Sequence, residues 1–381
     1  MGAVSFGVYV HIPFCAHRCD YCDFATWTDR GHLIDDYVDA CSTDLARRQA
    51  DTRRTATSVF FGGGTPSLLA PEHLARLLDA IDRAPDAEVT VECNPDSVDA
   101  HKLATYARAG VNRLSFGVQS MVPHVLERLG RTHDPANVDR AIRMARDAGF
   151  ARVSVDLIYG TDGESLADWR RSLEGVLALG VDHVSAYALT VEPATELGRQ
   201  VAAGNRPPPD DDLQADAYAL ADDLLTAAGF EWYEVSNWAR PGQACRHNLL
   251  YWHGGEYLGI GCAAHGHTRG RRWWNVRTPE RYVAAIRRGA SPEAGGEQLS
   301  PEHRAEEAFS LALRTRTGAR PAAAAGPCIA DLSAAGMCHR EEGRVVLTRR
   351  GRLLASDVTA RLLLAGAACR PTADHAGTRY D

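Results

Sequence analysis

No apolar run in this chain approaches the roughly 18 residues that a bilayer-spanning helix needs, so none is expected. No basic block stands out and the formal charge is −7, so nucleic acid is not an expected partner. The N-terminus lacks a charged stretch ahead of an apolar one. No secretory leader is therefore expected, and a cytoplasmic location follows. Disulfides are rare in that compartment, which leaves ten cysteines to be explained otherwise. No internal repeat is evident beyond an alternation of strand-like and helix-like segments. A length of 381 residues exceeds what one core normally organises, so a large domain with a smaller companion is expected.

Three cysteines, Cys15, Cys19 and Cys22, share one loop with C-x3-C-x2-C spacing, directly after the apolar segment Val8 to Ile12. Clustered thiols in a reducing compartment point to metal or catalysis. A structural zinc site wants four donors, and His11 or His17 is available as a fourth. Zinc sites usually show a second cysteine pair, however, and this chain has none. Three thiolates suit an iron–sulfur cluster held at three corners, with one iron left open. Cys41, Cys93, Cys328, Cys338 and Cys369 are scattered and read as small packed hydrophobes. Cys245 and Cys262 lie near histidines.

Strand-like runs recur at Val8–Ile12, Ser58–Phe61, Val89–Glu92, Arg113–Gly117, Val153–Ile158 and Val181–Ala188. Helix-period stretches fall between them, about Leu33–Arg48, Pro71–Asp82, Asp99–Ala109, Ala136–Ala148 and Leu166–Leu179. Gly110, Gly149 and Gly180 stand where a helix end favours glycine. The alternation predicts a parallel α/β sheet, either doubly wound or a partial (β/α) barrel. Asn205–Pro209 reads as a linker and Asp210–Gly229 as a helix. Phe230–Asn237 and Tyr251–Ile260 read as extended, and Pro301–Arg316 as a helix.

Unusual chemistry gathers at the C-terminal ends of the six strands, the rim where parallel β/α folds bind ligands. The first strand runs into the cysteine loop and the second into Gly62-Gly63-Gly64-Thr65-Pro66. The third ends in Glu92 and the fourth in Gly117-Val118-Gln119, while the fifth carries Asp156. A glycine loop lets backbone approach a ligand closely, and its N–H groups can face a carboxylate.

In order along the chain stand YVHIPFC, FFGGGTPS, VECNPD, LSFGVQS, LGRTH and DLIYG. This series resembles the radical S-adenosylmethionine (SAM) superfamily, in the branch containing oxygen-independent coproporphyrinogen III oxidase. The resemblance implies a partial (β/α)6 radical SAM barrel over 1–205 and an α+β extension over 206–295. It leaves a small helical domain over 296–369 and a disordered tail over 370–381. It implies a [4Fe–4S] cluster on Cys15, Cys19 and Cys22, with SAM on the open iron. Tyr9, Gly63, Gly64, Thr65, Glu92, Gln119, Arg131 and Asp156 match family positions that contact SAM. Chemically, Glu92 can accept from an ammonium, Arg131 can pair with a carboxylate, and Gln119 and Asp156 can bond ribose hydroxyls.

Two departures set this chain apart from the oxidases it resembles. Their motif continues to a further cysteine, where this chain has Phe24, and they carry a longer N-terminal segment. His247-Asn248-Leu249-Leu250-Tyr251-Trp252 is an H-N-x-x-Y-W run resembling the mark of HemW-type haem chaperones, as does Gly259 to Gly266. That resemblance implies a carrier that binds haem and passes it to acceptor proteins, membrane-bound respiratory enzymes among the candidates. On that reading no residue is catalytic. A homodimer is compatible with it. The alternative is oxidative decarboxylation of porphyrinogen propionates. Imidazole ligates haem iron and flat rings pack on the macrocycle, so His247 is the expected ligand, with His265 and Cys245 as alternatives.

Overall fold

The computed structural model describes residues 5–368. Cys369 and the tail expected over 370–381 lie outside the described residues. Six strands, β1 (Phe6–Ile12), β2 (Ala56–Gly63), β3 (Arg83–Cys93), β4 (Arg113–Gln119), β5 (Val153–Tyr159) and β6 (His183–Ala188), pair in chain order, each parallel to the next. Between them run α1 (Ile34–Thr52), α2 (Pro71–Asp79), α3 (Ala100–Ala109), a short α4 (Pro123–Arg128), α5 (Pro135–Asp147) and α6 (Leu166–Ala178). A doubly wound sheet reverses its strand order at a switch point. No reversal occurs here, and the wall is that of a partial (β/α)6 barrel.

Local signals explain the helix boundaries. Asp99 caps α3 by accepting from the Lys102 N–H, and Ser165 with Asp168 forms a capping box on α6. Gly110 closes α3 at φ +99°, a left-handed position costly for any residue with a Cβ. Among α1–α6 only α4 escaped the sequence reading, because six residues span too few turns to show a helical period.

Strands buried on both faces usually read as unbroken apolar runs. These six alternate instead. Val8, Val10, Phe61, Val91, Phe116 and Val155 face outward into the main apolar core under the helices. Tyr9, Phe60, Thr90, Ser115, Ser154 and Ser185 face inward and line a central cavity. The period-2 pattern therefore separates a helix-packing face from a polar interior.

The chain continues through α7 (Glu196–Ala202), α8 (Asp211–Ala227), β7 (Glu231–Glu234), β8 (Asn237–Ala239) and α9 (Arg246–Trp252). Then come β9 (Glu256–Ile260), β10 (His265–Thr268), β11 (Arg271–Asn275), α10 (Pro279–Arg287) and β12 (Glu293–Gln298). Strands of this segment extend the same sheet at both edges. β8 and β7 follow β6, while β9 pairs parallel with β1 and leads to β10, β11 and β12. Tyr251–Ile260 is not extended throughout: Tyr251 and Trp252 complete α9, and β9 starts at Glu256.

A second apolar core gathers Phe309, Leu313, Ile329, Leu332, Val345 and Leu362 from α11 (Pro301–Leu313), α12 (Gly326–Ala334), the hairpin β13 (Cys338–Glu341) and β14 (Arg344–Leu347), α13 (Arg349–Leu353) and α14 (Ala355–Leu364). The expected helical module thus also contains a hairpin. It docks on α8, where Asp222 accepts from Arg349 Nε and Arg352 Nη2, both at 2.7 Å, and from Trp238 Nε1 at 2.9 Å. Cys41, Cys93 and Cys338 are buried as expected, whereas Cys328 is half-buried. No helix among the described residues is long and apolar enough to cross a membrane.

Candidate functional site

The loop after β1 is pinned at both ends. Cys15 N–H donates to the Trp27 carbonyl at 3.0 Å, and Trp27 N–H donates to that of Pro13 at 2.8 Å. Asp20 joins the loop to the barrel, donating to the Leu129 carbonyl and accepting from Leu197 N–H. Cys15, Cys19 and Cys22 are each half-buried and open onto the central cavity. Burial pushes the Cys15 and Cys22 thiols up, and the Cys19 thiol beside them adds to this. Thr65 Oγ1 donates to Cys15 Sγ at 3.6 Å, and Arg131 Nη1 to Cys19 Sγ at 3.5 Å. No group of three or more His, Cys, Asp or Glu among the described residues closes around a single ion. Three thiols on one loop, with no fourth ligand from a second cysteine pair among the described residues, suit a cluster held at three corners.

The glycine loop works differently from its sequence expectation. A Cβ on Gly64 would meet the Ile12 and Phe14 carbonyls at 2.8 Å and Cys15 Sγ at 3.0 Å. Gly63 sits at φ +110°, and a Cβ there would strike His11 Nδ1 at 2.3 Å. The loop N–H groups are all taken within the protein: Gly63 donates to Glu92 Oε2, Gly64 to the Ile12 carbonyl and Thr65 to that of Phe14. They do not face a ligand carboxylate. The glycines instead let the loop lie against the thiol loop.

Glu92 and Asp156 face the thiols across the cavity. Burial pushes the Glu92 carboxyl up to about 8, the neighbouring Asp156 adds, and the Gly63 N–H partly offsets both. Burial also raises Asp156, against hydrogen bonds from Ser185 and Ser115. Neither carboxylate forms an ion pair among the described residues. The charge of Arg113 also acts on Asp156, whereas no cation pairs with Glu92 among the described residues, so Glu92 can meet one that a ligand brings. Arg131 supplies the opposite charge. Its Nη2 donates to the Gly117 carbonyl at 2.6 Å, while its buried Nε has no partner. Gln119 lies at φ +64°, where β4 slips register against β5, a strained residue at the rim. Tyr9 OH lies 3.1 Å from His11 Nδ1, and its ring stacks on Phe60. Every residue expected to bind the cluster or SAM lines this one cavity of about 780 Å³.

The other end of the barrel is closed by α9. His247 is fully buried, with Nδ1 2.9 Å from Ser58 Oγ and Nε2 2.9 Å from Tyr251 OH. Its N–H donates to Glu88 Oε1 at 3.0 Å, which also accepts from Cys245 Sγ. Asn248 Nδ2 donates to Tyr233 OH and Glu234 Oε1. Gly7 on β1 makes room, since a Cβ there would meet Leu250 at 2.5 Å. The H-N-x-x-Y-W run is therefore a plug. His247, the expected haem ligand, lines the inner end of the cavity, and both its ring nitrogens hold protein partners in this structure. Cys245 is equally enclosed, and burial pushes its thiol up to about 12. His265, exposed on β10, stands outside the cavity.

Sequence reasoning missed the polar floor. Thr90, Arg113, Ser154 and His183 line the cavity and are buried, each with an unpaired polar atom. The signal was present as polar residues at every second position of otherwise apolar strands.

The barrel segment 9–175 matches the model of the radical SAM superfamily, and 299–354 matches that of the HemN C-terminal domain. The heme chaperone HemW of Mycobacterium tuberculosis is 46% identical over 375 residues, covering 95% of this chain and 96% of the relative. The chain belongs to the HemW haem-chaperone family. HemW of Bacillus subtilis is 35% identical, over 92% of this chain and 97% of its own. Coproporphyrinogen III oxidase (HemN) from Escherichia coli, a radical SAM enzyme, shares the fold with a TM-score of 0.81 at 22% identity, over 94% and 90% of the two chains. Within this HemW framework Phe24 stands at the cavity mouth, 60% exposed, and no thiol occupies its position.

Proposed function

We propose that this protein binds haem and delivers it to haem-acceptor proteins, and that it holds a [4Fe–4S] cluster and SAM in the barrel. The observation carrying this reading is the shared cavity. The three-thiol loop, Glu92, Asp156 and Arg131 line it together, in a chain aligned end to end with haem chaperones. Cys15, Cys19 and Cys22 would hold the cluster, which supplies an open iron and one electron when bound. Glu92 accepts from an ammonium group and loses its proton as it does so. Arg131 Nε donates to a carboxylate. Asp156 and Gln119 take hydroxyl donors at the rim. Phe24 and Tyr187 present exposed rings at the mouth and limit water there.

The test is a haemin titration of the reconstituted full chain, followed by mixing with an apo-acceptor. About one haem per chain, released to the acceptor, is expected. Coproporphyrinogen III under anaerobic, reducing conditions with SAM should remain unconverted. Protoporphyrinogen in that assay would replace the carrier reading with the oxidase one.

A further inference from the structure

The polar floor of the barrel cavity lies below the residues expected to touch SAM. Thr90 stands two residues before Glu92 on β3, and Ser154 two before Asp156 on β5. Two residues of strand rise roughly 6–7 Å, so both hydroxyls sit one inward-facing layer deeper than the carboxylates. Strand register groups the floor into pairs. Thr90 is paired with Arg113 on β4, and Ser154 with His183 on β6. Cross-strand partners share a face of the sheet, here the inner one. No more than 4% of any of the four is exposed, and all four line the cavity.

The unengaged atoms of these four are donors. Arg113 Nη1 donates to the Gln243 carbonyl at 2.9 Å and lies 3.9 Å from Glu88 Oε2, while its buried Nη2 has no partner. Glu88 does not line the cavity, so the guanidinium is held from behind and Nη2 is left to the cavity side. His183 Nε2 lies 2.8 Å from Tyr233 OH, which accepts from Asn248 Nδ2 at 3.1 Å. The tyrosine's own proton therefore goes to Nε2, and Nδ1, also without a partner, carries a hydrogen. Thr90 and Ser154 add two hydroxyls with no partner. Buried polar groups are almost always satisfied, so four donors on four successive strands call for an acceptor. The carboxylates above do not serve. The charge of Arg113 reaches Asp156, but Asp156 accepts from Ser115 at 3.2 Å, and Glu92 from Gly63 N–H at 3.1 Å.

We propose that the floor is a second binding site, which takes the carboxylate of an organic ligand. Arg113 Nη2 and the Thr90 hydroxyl donate to the carboxylate oxygens. Ser154 and His183 Nδ1 donate to a further acceptor oxygen on the same molecule. The ligand enters by the mouth that serves the rim but uses none of the rim residues, so it lies beneath SAM rather than in its place. The inference does not depend on haem carriage.

Propionate is the probe, titrated into the reconstituted full chain in place of chloride at constant ionic strength and read by saturation-transfer NMR. A saturable signal is expected from the wild type. Thr90→Val combined with Ser154→Ala should weaken binding roughly tenfold, the worth of two hydrogen bonds. Without propionate the same variant should keep the wild-type melting temperature, because the hydroxyls it removes have no protein partner; a purely structural role would lower it. Arg131→Met, at the rim, is the control and should bind propionate as the wild type does. A signal lost only in Arg131→Met would place propionate at the rim and overturn the floor site. Wild-type affinity in the double variant would overturn it too, as would a wild type with no saturable signal, whose floor holds water alone. None of these outcomes touches the haemin titration, so haem carriage stands or falls separately.

Discussion

His247 and Ser58, 189 residues apart in sequence, meet at 2.9 Å across the floor of the barrel. That contact makes the H-N-x-x-Y-W helix a structural plug. His247→Ala should therefore destabilise the fold by roughly 3–5 kcal/mol, through a cavity and stranded hydroxyls. The loss would be read as a lower urea midpoint. The Soret band of bound haem should not move. A displaced band in a variant of unchanged stability would restore His247 as ligand.

Burial holds the His247 imidazole near 3, down from 6.5. The unfolded chain takes up a proton there between those values and the folded one does not. This residue's contribution to stability is therefore intact above pH 6.5 and falls away as pH drops toward 3. Replacing His247 by Gln should flatten the acid limb of a stability–pH profile.

Glu92 acts in the opposite sense. Its folded value of about 8 lies above the ordinary 4.5, so between these the folded chain holds a proton that the unfolded chain has lost. Stability of the ligand-free protein falls as pH rises across that window, by up to about 5 kcal/mol at 1.36 kcal/mol per unit. Glu92→Gln should raise the melting temperature at pH 8 and also abolish SAM binding, measured by calorimetry. A variant that is more stable but binds SAM unchanged would remove Glu92 from the site.

Cys19→Ser should eliminate the visible absorbance of the reconstituted cluster, since two thiolates do not hold it. Iron and sulfide retained at wild-type levels would contradict the ligand assignment.

Asp222 ties the C-terminal unit to the barrel. Burial pushes its carboxyl up, but hydrogen bonds and charge from Arg352 outweigh this and hold it below its ordinary value. Asp222→Asn leaves the Arg352 guanidinium buried and uncompensated, at a cost of roughly 3–5 kcal/mol. Faster amide exchange across 301–364 is the expected readout.

Much of this was legible in the residues. Five of the six strands stand within two residues of where apolar runs put them, because that pattern is local, while β3 begins six residues before the run that marked it. The thiol loop, Glu92 and Gln119 were singled out at the C-terminal ends of their strands and Asp156 within β5, and all of them line the cavity. The glycine loop also lines the cavity, but its N–H groups are engaged within the protein. Whether Gly64 N–H faces a ligand or the Ile12 carbonyl depends on a strand 52 residues earlier. The partners of His247, from β2, β3 and its own helix, were hidden for the same reason.

By itself the sequence determined the alternation that folds six β/α units, and the trio of thiols that the first strand delivers to their rim. Spacing along the chain encodes period, and period selects helix, strand and face. Only the tertiary structure decided that H-N-x-x-Y-W lies at the floor of the cavity while His265 stands outside it. Hydrogen-bond partners and solvent access belong to surfaces that exist only once distant strands have paired.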